Sequence, residues 1–169
     1  MQKGYFLRGS RLNNMEKIIK YIEKHMNGYA SPDHGLKHWR SVEKLGNYLA
    51  DINGADKKIV TLFAYMHDLG REHDDEDAEH GKRSALIVQE LFDKKIINIT
   101  PEQYKKLIYA CQFHPLEMAQ SDDITIQTCW DADRLDLWRV GIEPDPKLLF
   151  TKEAKTPKII LMAKDGLLG

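Results

Sequence analysis

Apolar residues recur at intervals of three and four along most of the chain, the period of a helix with one buried face. Met15, Ile18, Ile19, Ile22 and Met26 form the first such stripe and stop at Asn27-Gly28, a C-terminal signal. After the turn-rich Ser31-Pro32-Asp33-His34-Gly35, a second stripe carries His38, Val42, Leu45, Leu49 and Ile52 and stops at Asn53-Gly54. A third helix is predicted from about Asp56 through Ile59, Leu62, Phe63 and Met66, so that His67 and Asp68 fall on its last turn before Gly70.

Residues 71–79 are almost all charged and read as an exposed loop. A fourth helix starts near His80 and carries Ser84, Ile87, Val88, Leu91 and Phe92. Thr100-Pro101-Glu102-Gln103 offers an N-cap, a proline at the first helical position and a capping-box partner. They open a fifth helix with Tyr104, Leu107, Ile108 and Cys111 that ends at His114-Pro115. A sixth is predicted over 124–138, and the tail beyond Gly141 offers one last short helix. No strand alternation or repeat competes, so the expectation is an all-α bundle of about six to seven helices in a single domain over residues 15–169. Residues 1–14 show no sustained period and read as an arm, frayed or left over from expression.

Composition narrows the partners. In a chain of 169 residues, 42% hydrophobic content suffices for one core. The 25 Lys plus Arg nearly cancel the 26 Asp plus Glu, which leaves no electrostatic footprint for long nucleic acid or an anionic membrane. Cys111 and Cys129 lack paired spacing and read as buried free thiols in a reducing compartment. No apolar run approaches the ~20 residues of a membrane span, and the start lacks a signal-peptide core. A cytoplasmic protein is expected, and the sequence is compatible with a homo-oligomer.

The chemistry lies where polar residues meet apolar faces. His38, the pair His67-Asp68, His80 and His114 sit at helix ends, and Asp133 sits inside the sixth helix. Buried without partners, each would cost roughly 1–3 kcal/mol. A divalent metal removes that cost, since imidazole and carboxylate suit Mn, Fe, Co, Ni or Zn and a helical bundle can converge them. Taken singly, a histidine near a helix end is more often a surface or dipole-stabilised residue.

Asp33-His34-Gly35 leading to His38, then His67-Asp68-Leu69-Gly70-Arg71, then Asp133-Arg134-Leu135-Asp136, resemble the HD-domain superfamily of metal-dependent phosphohydrolases. The resemblance implies an HD-type bundle with His38, His67, Asp68 and Asp133 as the H…HD…D ligand set, Asp131 supporting it from outside. His80, followed by Gly81, and His114 resemble the additional histidines of two-metal branches, with Asp68 then bridging. One or two divalent ions (Mn, Fe, Co, Ni, Zn or Mg) are implied.

Where the family often has an acid, histidine or lysine, this chain has Arg71, which cannot act as an acid at neutral pH and reads as a phosphate clamp. Asp68, Arg71 and Glu72 are therefore the catalytic candidates. For Glu72 and His73 as sources of the acid, a charged surface loop is the plainer reading. Lys37, Arg71 and Arg134 are the substrate-binding candidates. Arg40 stands one step earlier than the family's H-x-x-R-V would place it. Trp39, Trp130 and Trp138 read as core or rim residues rather than a base pocket.

The expected reaction is hydrolysis of a nucleotide or other small phosphate ester, with metal-bound hydroxide as nucleophile. Two alternatives stay open: an HD-type di-iron oxygenase using His38, His67, Asp68, His80, His114 and Asp133, and a non-catalytic metal-binding regulatory module.

Overall fold

The computed structural model describes residues 6–25 and 31–166, with side chains over 14–24 and 31–166. Among the described residues seven α-helices follow in order: α1 (Phe6–His25), α2 (Leu36–Asn53), α3 (Lys57–Met66), α4 (His80–Asp93), α5 (Pro101–Phe113), α6 (Ile124–Leu135) and α7 (Pro157–Lys164). Tight three-residue-per-turn segments at Asp136–Val140 and Pro146–Leu148 join the last two. Among the described residues there is no strand, so the all-α expectation holds.

The predicted capping box at Thr100 and the stop at Asn53-Gly54 act as expected. Thr100 accepts from Gln103 N–H while the Gln103 side chain returns to the Thr100 amide. Asp56 caps α3, Asp123 caps α6, and Gly54 ends α2 at φ 80°, a conformation that costs glycine little. Two boundaries differ from expectation. Helix α1 begins at Phe6 rather than Met15, because a helix once nucleated extends without needing an apolar face on every turn. The expected stop at Asn27-Gly28, with Met26, lies outside the described residues. Helix α6 ends at Leu135, not 138, and tightens through Asp136–Val140 before Gly141 turns the chain at φ 77°.

Helix α3 occupies the centre, packed against α2, α4, α5 and α6. Its mixed apolar surface explains this: Ile59, Val60, Phe63 and Met66 are all fully buried, the pattern of a helix enclosed on most sides. Around it lie Ile18 and Ile22 of α1, Trp39, Val42 and Leu49 of α2, Leu91 of α4, Leu107 of α5, and Trp130 and Leu135 of α6. Ile52, expected on the buried stripe of α2, is half exposed. Trp130 donates to Ala110 O and Trp138 to Ile160 O, so both indoles serve packing.

Two glycines let the helix ends that follow come together. A Cβ on Gly70 would stand 2.6 Å from His80 O, and one on Gly81 would stand 2.5 Å from Gln112 O and 2.8 Å from Pro115. The end of α3, the start of α4 and the end of α5 therefore meet at distances that only glycine permits. Ser84 Oγ accepts from Gly70 N–H at 2.9 Å, and Arg83 Nε donates to Gly70 O at 2.8 Å.

Candidate metal centre

Five helix ends deliver the polar residues to one place. His38 lies in the first turn of α2, His67 caps α3 with Asp68 next, His80 opens α4, His114 caps α5 and Asp133 lies in the last turn of α6. Helix termini leave backbone groups without helical partners, and the histidines use them. His67 Nδ1 lies 3.1 Å from Phe63 O and 3.2 Å from Ala64 O, and His114 Nδ1 lies 2.7 Å from Cys111 O. His80 Nδ1 meets Asp77 O. His38 Nδ1 meets a carboxylate, Asp136 Oδ2, at 2.6 Å. Each partner can only accept, so each Nδ1 carries a proton, and each Nε2, facing further acceptors, is left to take up a proton or a metal ion.

Those four Nε2 atoms converge on carboxylate oxygens. Asp68 Oδ2 lies 3.4 Å from His67 Nε2 and 3.6 Å from His38 Nε2. Its Oδ1 lies 3.2 Å from His80 Nε2 and 3.4 Å from His114 Nε2. Asp133 Oδ1 completes the first group at 3.2 Å from His38 and 3.5 Å from His67. Within the groups, His38 and His67 Nε2 are 3.0 Å apart and His80 and His114 Nε2 2.8 Å apart. Lone pairs cannot satisfy one another, and the nearest groups are further acceptors, so the cage calls for a cation.

The protonation pattern agrees. Burial alone would lower the His67 pKa, but the Asp68 and Asp133 carboxylates outweigh it and push it up to about 10. Burial would raise Asp68 and Asp133, yet His67 and the other histidines hold both well below the usual carboxylate range. His114 is lowered, chiefly by burial. A positive charge is thus favoured within the cage. Ligand atoms of His38, His67 and Asp68, of His67, His114 and Asp133, and of Asp68, His80 and His114 form three groups able to hold an ion. Nitrogen and carboxylate donors with ordered Nδ1 partners suit a divalent first-row metal.

All six residues expected as ligands are therefore brought together. Arg71 also reaches the cage, its Nε 3.2 Å from Asp68 Oδ1 and its Nη1 on Asp75 O. Glu72 does not: its carboxylate is exposed and turned towards Arg83 at 3.8 Å. His73 is exposed on the same loop. Lys37 lines a cavity of about 470 Å³ between α2 and α7, with Arg40, Ser41 and Lys44, rather than the cage. Arg134, one step round the helix from Asp133, donates to Leu148 O and stacks over Phe150 at 5.0 Å. Its hydrogen bond braces the 148–150 segment, and it walls a cavity of about 170 Å³ beside His114. Asp131 likewise faces away, accepting from the amides of Phe150 and Thr151 and from the Thr151 hydroxyl. It holds that segment rather than any ligand.

The residue that does support a ligand is Asp136, which accepts from His38 through Oδ2 and from Ser41 through Oδ1. It stands three residues after Asp133, a spacing that puts two helical side chains on one face; that was the available signal. His34, outside the expected set, also touches the cage, its Nδ1 3.1 Å from Asp68 Oδ2.

The model of the HD domain family matches residues 35–138. The fold is also similar to the crystal structure of a predicted HD superfamily hydrolase from an uncultured Thermotogales bacterium, at 20% identity and a TM-score of 0.68 over 92% of this chain and 87% of that one. No curated protein matches the sequence. No described helix is long and apolar enough to cross a membrane.

Proposed function

Because the chain belongs to the HD domain family, we propose that its cage serves metal-dependent hydrolysis of a small phosphate ester, a nucleotide being the class we favour. The observation that carries this reading is one buried carboxylate, Asp68, shared between two histidine pairs through its two oxygens. His38, His67 and Asp133 would hold one ion and His80 and His114 a second, with Asp68 between them. Bound divalent ions supply activation of water and polarisation of a phosphoryl oxygen.

The chain's own residues do the rest. Four imidazoles locked at Nδ1 fix the ligand geometry before substrate arrives, which lowers the reorganisation required in the reaction. Asp133, with 20% of its side chain exposed, opens the cage to solvent and can orient a water by accepting its hydrogen. Arg71, fixed on Asp68 Oδ1, supplies a cation where phosphoryl charge accumulates. Glu72, turned towards Arg83, is not placed to give a proton to the leaving group.

The test is metal content of protein purified without chelator, followed by phosphate release from a nucleotide panel with Mn, Co, Ni, Fe or Mg. About two ions per chain, with release abolished in Asp68→Ala, is the expected result. Oxygen consumption coupled to oxidation of an organic substrate, without phosphate release, would replace hydrolysis by the di-iron oxygenase that the same six ligands allow. Metal without turnover would make the domain a regulatory module, and absence of metal would sink the catalytic reading.

A further inference from the structure

Arg139 stands in the tight segment after α6, three residues beyond Asp136, and the H…HD…D set does not include it. Its Nε donates to Asp33 O at 2.8 Å and its Nη1 to Asp136 O at 3.2 Å, with the Asp136 carboxylate 3.7 Å from Nη1. Two backbone carbonyls thus fix the plane of the guanidinium. The remaining nitrogen, Nη2, is directed at His34 Nδ1, 3.4 Å away.

That contact does not satisfy Nη2. His34 Nδ1 also lies 3.1 Å from Asp68 Oδ2, and a ring nitrogen carries either one proton or one lone pair. A carboxylate oxygen can only accept, so Nδ1 donates to Asp68 and offers nothing to the arginine. The N–H groups of Nη2 are left to meet another acceptor, no more than two hydrogen-bond lengths from Asp68 Oδ2. Solvent reaches the place in part: side chains of His34, Arg139 and Asp133 are 13%, 18% and 20% exposed. Arg71 sits on the other oxygen of the same carboxylate.

We infer that Arg139 is a second phosphoryl-binding arm, which with Arg71 grips a terminal phosphoryl group across the Asp68 carboxylate. The inference rests on the phosphohydrolase reading and deepens it. One guanidinium on Asp68 Oδ1 and another that reaches the His34 ring on Asp68 Oδ2 suit a group with three non-bridging oxygens, a phosphomonoester or terminal phosphate, over an internal diester with two. A guanidinium already fixed by backbone carbonyls loses little freedom on meeting such an oxygen.

The test is calorimetric titration of the Mn-loaded protein with inorganic phosphate, comparing wild type, Arg139→Gln and Arg139→Lys, each checked for Mn content and melting temperature. Arg139→Gln should weaken phosphate roughly tenfold or more, the scale of one charge-assisted hydrogen bond, with Mn content unchanged. Arg139→Lys, keeping the charge without the fork, should fall between. If wild type turns over an ester but holds free phosphate too weakly to titrate, a tenfold rise in KM with Arg139→Gln is the equivalent result. Unchanged phosphate affinity or KM overturns the inference and leaves the hydrolase standing. Loss of Mn in Arg139→Gln also overturns it, assigning Arg139 to holding the 33–35 turn. A wild type that neither binds phosphate nor releases it from an ester removes the hydrolase reading, and the inference with it.

Discussion

Replacing Asp136 by asparagine isolates what a carboxylate behind a ligand contributes. Asp136 Oδ2 accepts from His38 Nδ1 at 2.6 Å while Oδ1 accepts from Ser41 Oγ. An asparagine of equal size can keep both hydrogen bonds, its oxygen on His38 and its NH2 donating to Ser41, so the geometry survives and only the negative charge is lost. A charge-assisted hydrogen bond is about twice as strong as a neutral one, and removing such support costs ~10- to 100-fold in metal affinity. Asp136→Asn should therefore weaken one ion about tenfold, or ~1.4 kcal/mol. Asp136→Ala, which also frees the ring, should approach a hundredfold. Competition titration of Mn(II) against a chromophoric chelator would resolve the two ions. Only the ion on His38, His67 and Asp133 should shift, because no contact of Asp136 reaches His80 or His114. Equal weakening of both ions, or wild-type affinity in Asp136→Ala, would refute the reasoning.

Three further outcomes follow from packing and capping. Asp131→Asn puts an NH2 group where one of three buried donors now finds an acceptor, which should lower unfolding free energy by about 2 kcal/mol in urea titrations with metal content intact; a folded variant lacking metal would return Asp131 to the site. Gly81→Ala drives a Cβ to within 2.5 Å of Gln112 O and should cost ~1–3 kcal/mol while weakening the His80–His114 ion; an unchanged melting temperature would contradict it. Asp123 accepts from the Thr125 and Ile126 amides and pairs with Lys106 at 2.7 Å. Burial would raise its pKa, but Lys106 and the helix amides hold it below the ordinary 3.8. A depressed folded-state pKa gives stability that is present above the unfolded value and lost as pH falls through the folded one. Asp123→Ala should thus cost about 1 kcal/mol at pH 7 and progressively less below pH 3.8, and a penalty independent of pH would exclude the carboxylate as its source.

The helices were legible from local marks, and the six residues of the cage from such marks together with the H…HD…D resemblance. Three-and-four spacing fixes which face of α2 to α6 is buried, and polar residues at the ends of those stripes must be satisfied wherever they go. The capping box at Thr100 and the glycine after α2 are equally local. What stayed illegible depends on direction. Arg134 and Asp133 are neighbours in sequence but point about 100° apart on the helix, and only the position of Leu148 shows that Arg134 turns outward. Asp131 and Asp136 exchange their expected importance for the same reason, since one meets the Phe150–Thr151 amides and the other meets His38.

The sequence by itself therefore determined an all-helical chain, its buried faces and a set of histidines and aspartates in need of a cation. Only the tertiary structure decided that Asp68 stands between two histidine pairs, that Asp136 supports His38, and that Arg139 rather than Arg134 approaches His34 beside Asp68. Helical period is a property of neighbours along the chain, whereas coordination is set by where five helix ends meet, and Gly70 and Gly81 set how closely three of them approach.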